Sequence, residues 1–245
     1  MRADVLLVSR GLAPSRTAAQ RLIAAGHVFA REGALRIALS KPSVSVADDI
    51  SLEIEASELD RFVSRGGLKL DGALSRIALD IKNRRCLDVG QSTGGFTDCL
   101  LQRGAAHVVG IDVGHDQLHA KIRADSRVTC IEGTNARTLR DIGEPFDLIV
   151  ADVSFISLTK VLPQWTALLR EGGRVLSLVK PQFEVGADNL ARGGIVRDES
   201  LYVIVEKNIR KACTDAGLAV LDYFDSAITG TDGNREFFVY AKASP

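Results

Sequence analysis

The sequence predicts an α/β protein: a Rossmann-like domain with a mostly parallel, seven-stranded sheet, preceded by a small α+β domain. Strand and helix signals alternate from residue 86 onwards, as they do in a parallel sheet that helices cover on both faces. A glycine-rich turn follows the first of these strands. A polar segment with a Gly-Gly pair lies before them. We therefore predict domains at residues 1–59 and 69–245, joined by a linker at 60–68.

Composition narrows the class of protein. Hydrophobic residues make up 46% and charged residues 25% of the 245 residues, which is typical of a folded globular chain. No apolar run is long enough to cross a bilayer and no signal peptide is recognisable, so we expect a cytoplasmic protein without a membrane partner. The four cysteines are scattered and form no Cys-x-x-Cys pair. We therefore expect neither zinc, nor any other metal, nor disulfides. The oligomeric state stays open.

The N-terminal segment reads as helix, turn, helix and hairpin. Apolar residues at 5–12 precede a turn at Ala13-Pro14, Ser15 stands where a helix N-cap belongs, and Gly26 is placed to end the second helix. Short strands are predicted at 28–29, 35–37 and 51–54.

Charge in this segment is uneven, although the net charge of the chain is +0. Up to residue 36 there are six arginines and two acidic residues, and the sign reverses between residues 48 and 60. One locally positive face is a weak indication of nucleic-acid binding.

The rest of the chain is predicted to alternate. In order, we expect a helix at 69–79, a strand at 86–89, a helix at 96–103, a strand at 108–113, a helix at 117–123, strands at 128–131 and 146–153, a helix at 156–169 kinked at Pro163, a strand at 175–180, a helix at 200–216, and strands at 218–228 and 236–241. Ser200 and Gly217 are placed as N-cap and C′ residues. The last two strands are predicted to pair antiparallel at the edge of the sheet.

The turn after the first of these strands, Leu87-Asp88-Val89-Gly90-Gln91-Ser92-Thr93-Gly94-Gly95-Phe96, is the first functional candidate. Ligands of open α/β sheets bind at the carboxyl ends of the strands, and glycines let the backbone approach them closely. Ser92 stands where a dinucleotide-binding motif has its second glycine. The preceding carboxylate would repel pyrophosphate but suits a cation such as S-adenosyl-L-methionine (AdoMet). The alternative is an ordinary turn whose glycines serve packing.

A second acid, Asp112, ends the following strand, where a carboxylate can accept hydrogen bonds from ribose hydroxyls. Its alternative is a solvated strand end. The predicted cofactor-binding residues are Asp88, Gly90, Ser92, Thr93, Gly94, Gly95, Phe96, Asp112 and Asp152.

Three charged residues at later strand ends bear on the chemistry. Asp152 lies where amino-methylating enzymes carry an Asn/Asp-Pro-Pro-Tyr motif, and the absence of Pro-Pro disfavours methylation of a base nitrogen. No cysteine follows a proline, which disfavours methylation at carbon 5 of a base. Lys180 ends a very apolar strand, where a lysine is costly unless it is paired, is deprotonated or reaches solvent. Glu236 begins the last strand.

These strings together resemble the TlyA-type (haemolysin A) rRNA 2′-O-methyltransferases, which belong to the FtsJ-like (RrmJ-like) class. Residues 10–16 with 23–28 resemble an S4 RNA-binding domain and residues 63–70 the family's linker; the segments 88–96, 152–158, 180–184, 193–198 and 233–237 match in order. The resemblance covers almost the whole chain. Gln91 departs from it, because the family usually has a small residue there, and the turn Arg31-Glu32-Gly33-Ala34 lacks the usual Asn-Gly.

The resemblance implies AdoMet-dependent methylation of a ribose 2′-hydroxyl in ribosomal RNA, at a cytidine, with a catalytic tetrad of Lys69, Asp152, Lys180 and Glu236. A 2′-hydroxyl is a poor nucleophile and must lose its proton as it attacks. We assign Lys180 as the base and Lys69 as the residue that positions the hydroxyl or assists electrostatically. The two carboxylates would orient the lysines.

The expected partner is ribosomal RNA or a ribosomal subunit, bound mostly through phosphate contacts that salt weakens. The candidate RNA-binding residues are Arg2, Arg10, Arg16, Arg21 and Arg65. The alternative is that these arginines lie on solvated helix faces.

Two other functions are considered. A non-catalytic S4 protein with an AdoMet-type fold would bind RNA without transferring methyl groups. A membrane-active haemolysin, which the family label suggests, would release dye from liposomes.

Overall fold

Two units, Met1–Arg61 and Phe62–Pro245, divide the chain. The computed structural model describes residues 1–13, 15–55, 61–140, 142–230 and 232–243, with the backbone alone at Arg21. The predicted turn residue Pro14 and the first residue of the predicted linker, Asp60, therefore lie outside the described residues. None of the described helices combines the length and the hydropathy that a membrane-spanning segment needs.

The N-terminal unit places two helices, α1 (Ala3–Ser9) and α2 (Arg16–Ala24), with the strands β1 (Val28–Glu32), β2 (Leu35–Ala38) and β3 (Ser51–Ile54). The strands form one antiparallel sheet in the order β2-β1-β3. The N-terminal unit has a small hydrophobic core of its own, in which the apolar sides of both helices are buried. Leu7 and Ile23 are almost inaccessible to solvent there.

The C-terminal unit contains α3 (Arg65–Arg76), β4 (Arg85–Val89), α4 (Gly95–Gln102), β5 (His107–Ile111), α5 (Ala120–Arg123), β6 (Val128–Ile131), β7 (Phe146–Ala151), α6 (Leu162–Trp165), β8 (Leu169–Val179), α7 (Leu201–Asp215), β9 (Leu218–Asp225) and β10 (Phe237–Ala243). The sheet has seven strands in the order β6-β5-β4-β7-β8-β10-β9. Strands β4 to β8 are parallel and β10 is antiparallel to both of its neighbours. The predicted fold class is confirmed.

The position of β4 determines where a ligand can bind. Its neighbours are β5 on one side and β7 on the other, so the chain crosses to opposite faces of the sheet as it leaves these strands. A crevice opens at such a switch point, beyond the carboxyl ends of the strands. The glycine-rich turn that follows β4 lies at this point.

The predicted helix at 156–169 is wrong. The structure has a short 3-10 turn at Leu158–Lys160, the four-residue helix α6, and a second 3-10 turn at Thr166–Leu168, after which β8 already begins at Leu169. Pro163 occupies the first turn of α6, where its missing N–H is tolerated, so the proline starts a helix and does not kink a longer one.

Helix α3 begins four residues before its predicted start. The pair Gly66-Gly67 was interpreted as a break but forms part of the first turn. A Cβ at Gly67 would lie 2.3 Å from the ring of Phe62. These glycines therefore serve close packing.

Candidate active site

A cavity of about 580 Å³ opens at the carboxyl ends of β4, β7 and β8 and is called here the larger cavity. All four residues of the predicted tetrad, Lys69, Asp152, Lys180 and Glu236, line it together with the glycine-rich turn. They come from α3, the ends of β7 and β8, and the start of β10. Within the described residues, no group of three or more His, Cys, Asp and Glu side chains could hold a metal ion.

The four side chains form two ion pairs. The Nζ atom of Lys69 lies 2.5 Å from Oε2 of Glu236, and the Nζ atom of Lys180 lies 2.5 Å from Oδ1 of Asp152. Only 10% of the Lys69 side chain and 12% of the Lys180 side chain are exposed. Charges removed from water to this extent are stable only when they are paired, so each carboxylate stabilises its lysine in the cavity wall.

Local structure explains how the lysines reach the cavity. Lys69 lies on the buried face of α3, in line with the apolar residues Leu70, Ala73 and Leu74. Side chains of a helix lean towards its N-terminus, and the N-terminus of α3 is where the cavity opens. Lys180 follows the buried end of β8, and its Nζ donates a hydrogen bond of 2.8 Å to Oγ of Ser154.

Burial raises the pKa of Glu236 above its ordinary value, whereas the hydrogen bond from Lys69 and the charges of Lys69 and Lys180 lower it. Glu236 therefore keeps its negative charge mainly because the lysines are present. The two pairs form one electrostatic unit, because Asp152 also acts on the Glu236 carboxylate.

The glycine-rich turn reaches the cavity through Gly90. The N–H groups of Gly90 and Gln91 both donate to the carbonyl oxygen of Ile111, which holds the turn against β5. A Cβ at Gly90 would lie 2.6 Å from the carbonyl oxygen of Asp152, and its φ of +83° belongs to the left-handed region. Only glycine suits this position.

A second cavity of about 510 Å³, called here the smaller cavity, shares Gly90, Ser92, Asp152 and Ser154 with the larger one. Asp112 lines it at the end of β5 and accepts hydrogen bonds from the N–H groups of Ser92, at 2.8 Å, and Gly114, at 2.7 Å. The rest of the wall is mainly apolar and contains Ile111, Val113, Ala136, Val153 and Ile156. A strand-end acid beside an apolar slot suits a nucleoside.

Asp88 lies beneath the turn, fully buried, and lines neither cavity among the residues described. Its Oδ2 accepts a hydrogen bond of 2.7 Å from the hydroxyl of Thr97, on the first turn of α4. Burial raises the pKa of Asp88 to about 7, although the hydrogen bond from Thr97 opposes that rise. Asp88 therefore holds the turn to α4, and the prediction of a direct cofactor contact does not match its position.

Gln91, which stands where the family usually has a small residue, is accommodated by a neighbouring glycine. The Gln91 side chain is buried, and its Nε2 donates to Oγ1 of Thr97 at 2.9 Å. A Cβ at Gly110 would lie 2.0 Å from the Gln91 carboxamide, so the side chain occupies the space that Gly110 leaves on β5. The larger residue thus extends under the turn.

The stability of the fold is expected to depend on Asp88 between pH 5 and pH 8. Because the pKa of the folded state, about 7, exceeds the unfolded value, the folded state binds the extra proton, so stability is lost as pH rises towards 7. Asp88→Asn should reduce the loss between pH 5 and 8 by about 2–3 kcal/mol in denaturant unfolding. Asp188→Asn, at an exposed position, is the control. Equal pH dependence in wild type and Asp88→Asn would contradict the prediction.

Most of the predicted cofactor-binding residues meet at the two cavities. Those that line at least one of them are Gly90, Ser92, Thr93, Gly95, Phe96, Asp112 and Asp152. Gly94, like Asp88, lines neither one in the described part of the chain. Gly94 instead serves as the N-cap of α4 in a left-handed conformation.

Four of the five candidate RNA-binding arginines have intramolecular partners in the described part of the chain. Arg2 and Arg16 pair with the buried carboxylate of Asp4 and hold its pKa well below its usual range, and Arg10 donates to backbone carbonyls. Arg65 lines the larger cavity and donates to the carbonyl oxygen of Thr229 at 2.9 Å. The side chain of Arg21 lies outside the described residues.

The polar residues of the larger cavity that received no role from the sequence include Ser154, Gln182 and Asp232. Ser154 and Gln182 lie inside strings that the resemblance already covers, two residues after Asp152 and Lys180. Asp232 lies in a glycine-rich turn and gave no signal, because only the folding of that turn brings it to the cavity.

The sheet order, the glycine turn and the strand-end acid define the class of the Rossmann-like methyltransferases. A magnesium protoporphyrin IX methyltransferase from Synechocystis shares this fold, with a TM-score of 0.52 and 14% identity, over 78% of this chain and 89% of its own. The profile of the FtsJ-like methyltransferases matches residues 62–243 and that of the S4 domain residues 1–29. The chain belongs to the FtsJ-like methyltransferase family, as a member of its S4-containing TlyA group.

Individual relatives support this membership over nearly the full length. TlyA of Mycobacterium tuberculosis, named as a 16S/23S rRNA (cytidine-2′-O)-methyltransferase, is 43% identical over 98% of this chain and 89% of its own. A solved structure of a hemolysin-like protein from Streptococcus thermophilus is 38% identical, with a TM-score of 0.75, over 100% of this chain and 88% of its own.

Proposed function

We propose that this chain transfers a methyl group from AdoMet to the 2′-hydroxyl of a cytidine in ribosomal RNA, in the cytoplasm. The observation that carries the proposal is the convergence of two lysine–carboxylate pairs on the cavity that the glycine turn borders. The named activity of the Mycobacterium tuberculosis relative, at 43% identity, supports the nucleotide and the RNA class.

The smaller cavity fits the nucleoside part of AdoMet. The Asp112 carboxylate would accept hydrogen bonds from the ribose hydroxyls, and the apolar wall would hold the adenine. The turn at Gly90 approaches the carbonyl oxygen of Asp152 so closely that a methyl group has no room there. A backbone without a side chain at this position suits direct contact with a ligand. Asp152 and Ser154, shared by both cavities, mark where donor and acceptor would meet.

The larger cavity provides the groups that the acceptor needs. When bound, AdoMet supplies a methyl group made electrophilic by its sulfonium. Lys180, once its own ammonium proton has gone to solvent, would take the proton of the 2′-hydroxyl while the 2′-oxygen bonds to the methyl carbon and the bond from that carbon to sulfur breaks, leaving a neutral thioether. Lys69 would hold the hydroxyl and stabilise negative charge on the oxygen. Asp152 and Glu236 orient the two amines through the observed pairs.

The acceptor side also has an exposed aromatic platform. Phe155 is 91% exposed, lies at the mouth of the smaller cavity, and holds a left-handed φ of +63°. Its ring centroid lies 5.2 Å from that of Phe183, which lines the larger cavity. A bulky residue held in this conformation without burial costs stability, so its use is functional. Stacking against a displaced base is the use that fits.

Phe155→Gly is expected to raise stability and lower RNA methylation together. Removing the left-handed strain should stabilise the fold by about 1 kcal/mol, and losing a stacked base should lower kcat/KM for RNA about 10-fold or more. Unfolding curves and initial rates measure the two effects. Phe155→Tyr keeps the ring and should retain activity. If Phe155→Gly methylated RNA at the wild-type rate, the stacking role would be wrong.

The function itself is tested by calorimetry with AdoMet, followed by transfer of tritiated methyl groups to purified 30S and 50S subunits and to naked rRNA. The modified nucleotide is then located by alkaline hydrolysis, because a 2′-O-methyl group protects the adjacent phosphodiester. AdoMet binding without transfer to any of these RNAs would favour the non-catalytic alternative.

A further inference from the structure

A polar cluster in the wall of the larger cavity is not used by the tetrad. It consists of Gln182, which follows β8, and Asp232, in the turn before β10, which both line the cavity, and of Asn234, which contacts Asp232; this is called here the amide cluster. The cluster adjoins the tetrad at Gly230, where an added Cβ would lie 2.7 Å from Oδ1 of Asp232 and 2.8 Å from Oε1 of Glu236. A group bound to the cluster would therefore lie next to the reacting hydroxyl.

The carboxamide orientations in this cluster follow from their partners. The N–H of Val196 donates to Oδ1 of Asn234, so Nδ2 of Asn234 points to Asp232, at 2.8 Å from its Oδ2. Nε2 of Gln182 donates to the same Oδ2 at 3.2 Å. A carboxylate accepts hydrogen bonds and cannot donate them. Asp232 therefore determines that Gln182 turns its nitrogen towards the carboxylate.

This orientation leaves one buried acceptor unused. Gln182 is 9% exposed, and its Oε1, which is itself shielded from solvent, has no hydrogen-bond partner among the described residues. Leaving such an atom unpaired is costly, so a ligand that supplies a donor and uncovers Oε1 as it binds would be favoured there. Together with the exposed Asp232 carboxylate, Oε1 of Gln182 would then make this part of the wall an acceptor surface.

Few groups of an internal RNA nucleotide can donate a hydrogen bond. Phosphate and ring ether oxygens only accept, and the proton of the 2′-hydroxyl is directed to Lys180 in the proposed reaction. The remaining donors lie on the base edge. Cytosine carries an exocyclic amino group at carbon 4, whereas uracil carries a carbonyl oxygen at that place. An acceptor surface attracts the amino group and repels the carbonyl.

We propose that Gln182, oriented by Asp232, accepts a hydrogen bond from the exocyclic amino group of the target base and so selects cytidine over uridine. The inference rests on the proposed function and adds to it the residue that makes the choice. Gln182 is a specificity residue that contacts the base, and Asp232 is a positioning residue that acts through it.

The test uses the full-length protein and two RNA substrates that differ only in the mapped target nucleotide, cytidine or uridine. Wild type should favour cytidine by about 10-fold or more in kcat/KM, because uridine would leave buried acceptors facing each other. Gln182→Met keeps the length of the side chain without its carboxamide and should bring the ratio close to one. Gln164→Met, remote from both cavities, should leave the ratio unchanged.

A second variant tests whether Asp232 determines the orientation of the Gln182 carboxamide. Asp232→Asn can donate as well as accept, so Gln182 becomes free to turn its nitrogen outward, and the preference should fall or move towards uridine. AdoMet affinity measured by calorimetry should stay at the wild-type value in both variants, which separates a loss of selectivity from a loss of folding.

Three outcomes would overturn the inference: wild type without preference for cytidine, Gln182→Met with the preference intact, or equal loss of transfer to both RNAs in that variant. Each differs from failure of the proposed function, in which wild type itself transfers no methyl group to either RNA.

Discussion

Lys180→Met should lower the rate of methyl transfer by about 10³-fold, within the range that general bases contribute. Methionine approximates the length of the lysine stem but can neither take up the hydroxyl proton nor pair with Asp152, which lies 2.5 Å from Nζ. Single-turnover transfer of tritiated methyl groups, with AdoMet and RNA both saturating, measures the chemical step. Lys207→Met, on the exposed side of α7, is the matched control.

The same variant should bind AdoMet at least as well as wild type. Removing Lys180 removes a positive charge beside the region shared by the two cavities and leaves the Asp152 carboxylate unpaired. A sulfonium is positively charged, so its electrostatic environment becomes more favourable. A variant that transferred methyl groups within about 5-fold of the wild-type rate would fall below the lowest contribution expected of a base. The assignment of Lys180 would then be wrong.

Gly90→Ala is expected to lower AdoMet affinity about 100-fold or more and to destabilise the fold by about 3 kcal/mol, because overpacking and backbone strain add together. The added methyl group would lie 2.6 Å from the carbonyl oxygen of Asp152, so the end of β7 must move. That movement displaces a tetrad residue and the wall between the two cavities together.

Gly186→Ala is a control that separates the steric clash at Gly90 from the backbone strain of a positive φ. Gly186 has a φ of +81°, close to the +83° of Gly90, but no atom lies within 4 Å of its added Cβ. Its ψ of 156° places Gly186 in a backbone region almost confined to glycine, so this control should lose about 1–3 kcal/mol through strain alone and keep its AdoMet affinity. Denaturant unfolding and calorimetry on both variants give the comparison. Equal effects of the two substitutions would show that close approach at Gly90 has no role.

Regular patterns were read correctly from the sequence, and irregular segments were not. The buried strands β4, β5 and β7 can be recognised in the sequence, because strands covered on both faces are continuously apolar. The segment after Asp152 contains apolar residues at helical spacing, yet it forms 3-10 turns around α6. Glu184 accepts hydrogen bonds from Ser157 and from the N–H of Leu158 and holds this segment in place. Such long-range contacts override local propensity.

In the candidate site, too, some features could be predicted from the sequence and others could not. The tetrad and the glycine turn could be named because their residues stand at the ends of recognisable strands and match a family pattern. The burial of Asp88 could not be read from the sequence, since a turn does not reveal which of its side chains points inward. Its position depends on Thr97, which α4 brings over the end of β4.

The sequence by itself determined the order of most strands and helices and the two-part organisation, because these follow from local patterns, and its resemblance to a known family implied the four charged residues. Only the tertiary structure decided how those residues pair: Lys69 with Glu236, and Lys180 with Asp152. The partners of the first pair lie 167 positions apart in the chain, and β10 reaches the cavity only by inserting between β8 and β9. That insertion also delivers Asp232 to Gln182, because antiparallel pairing sets the register of the turn before β10.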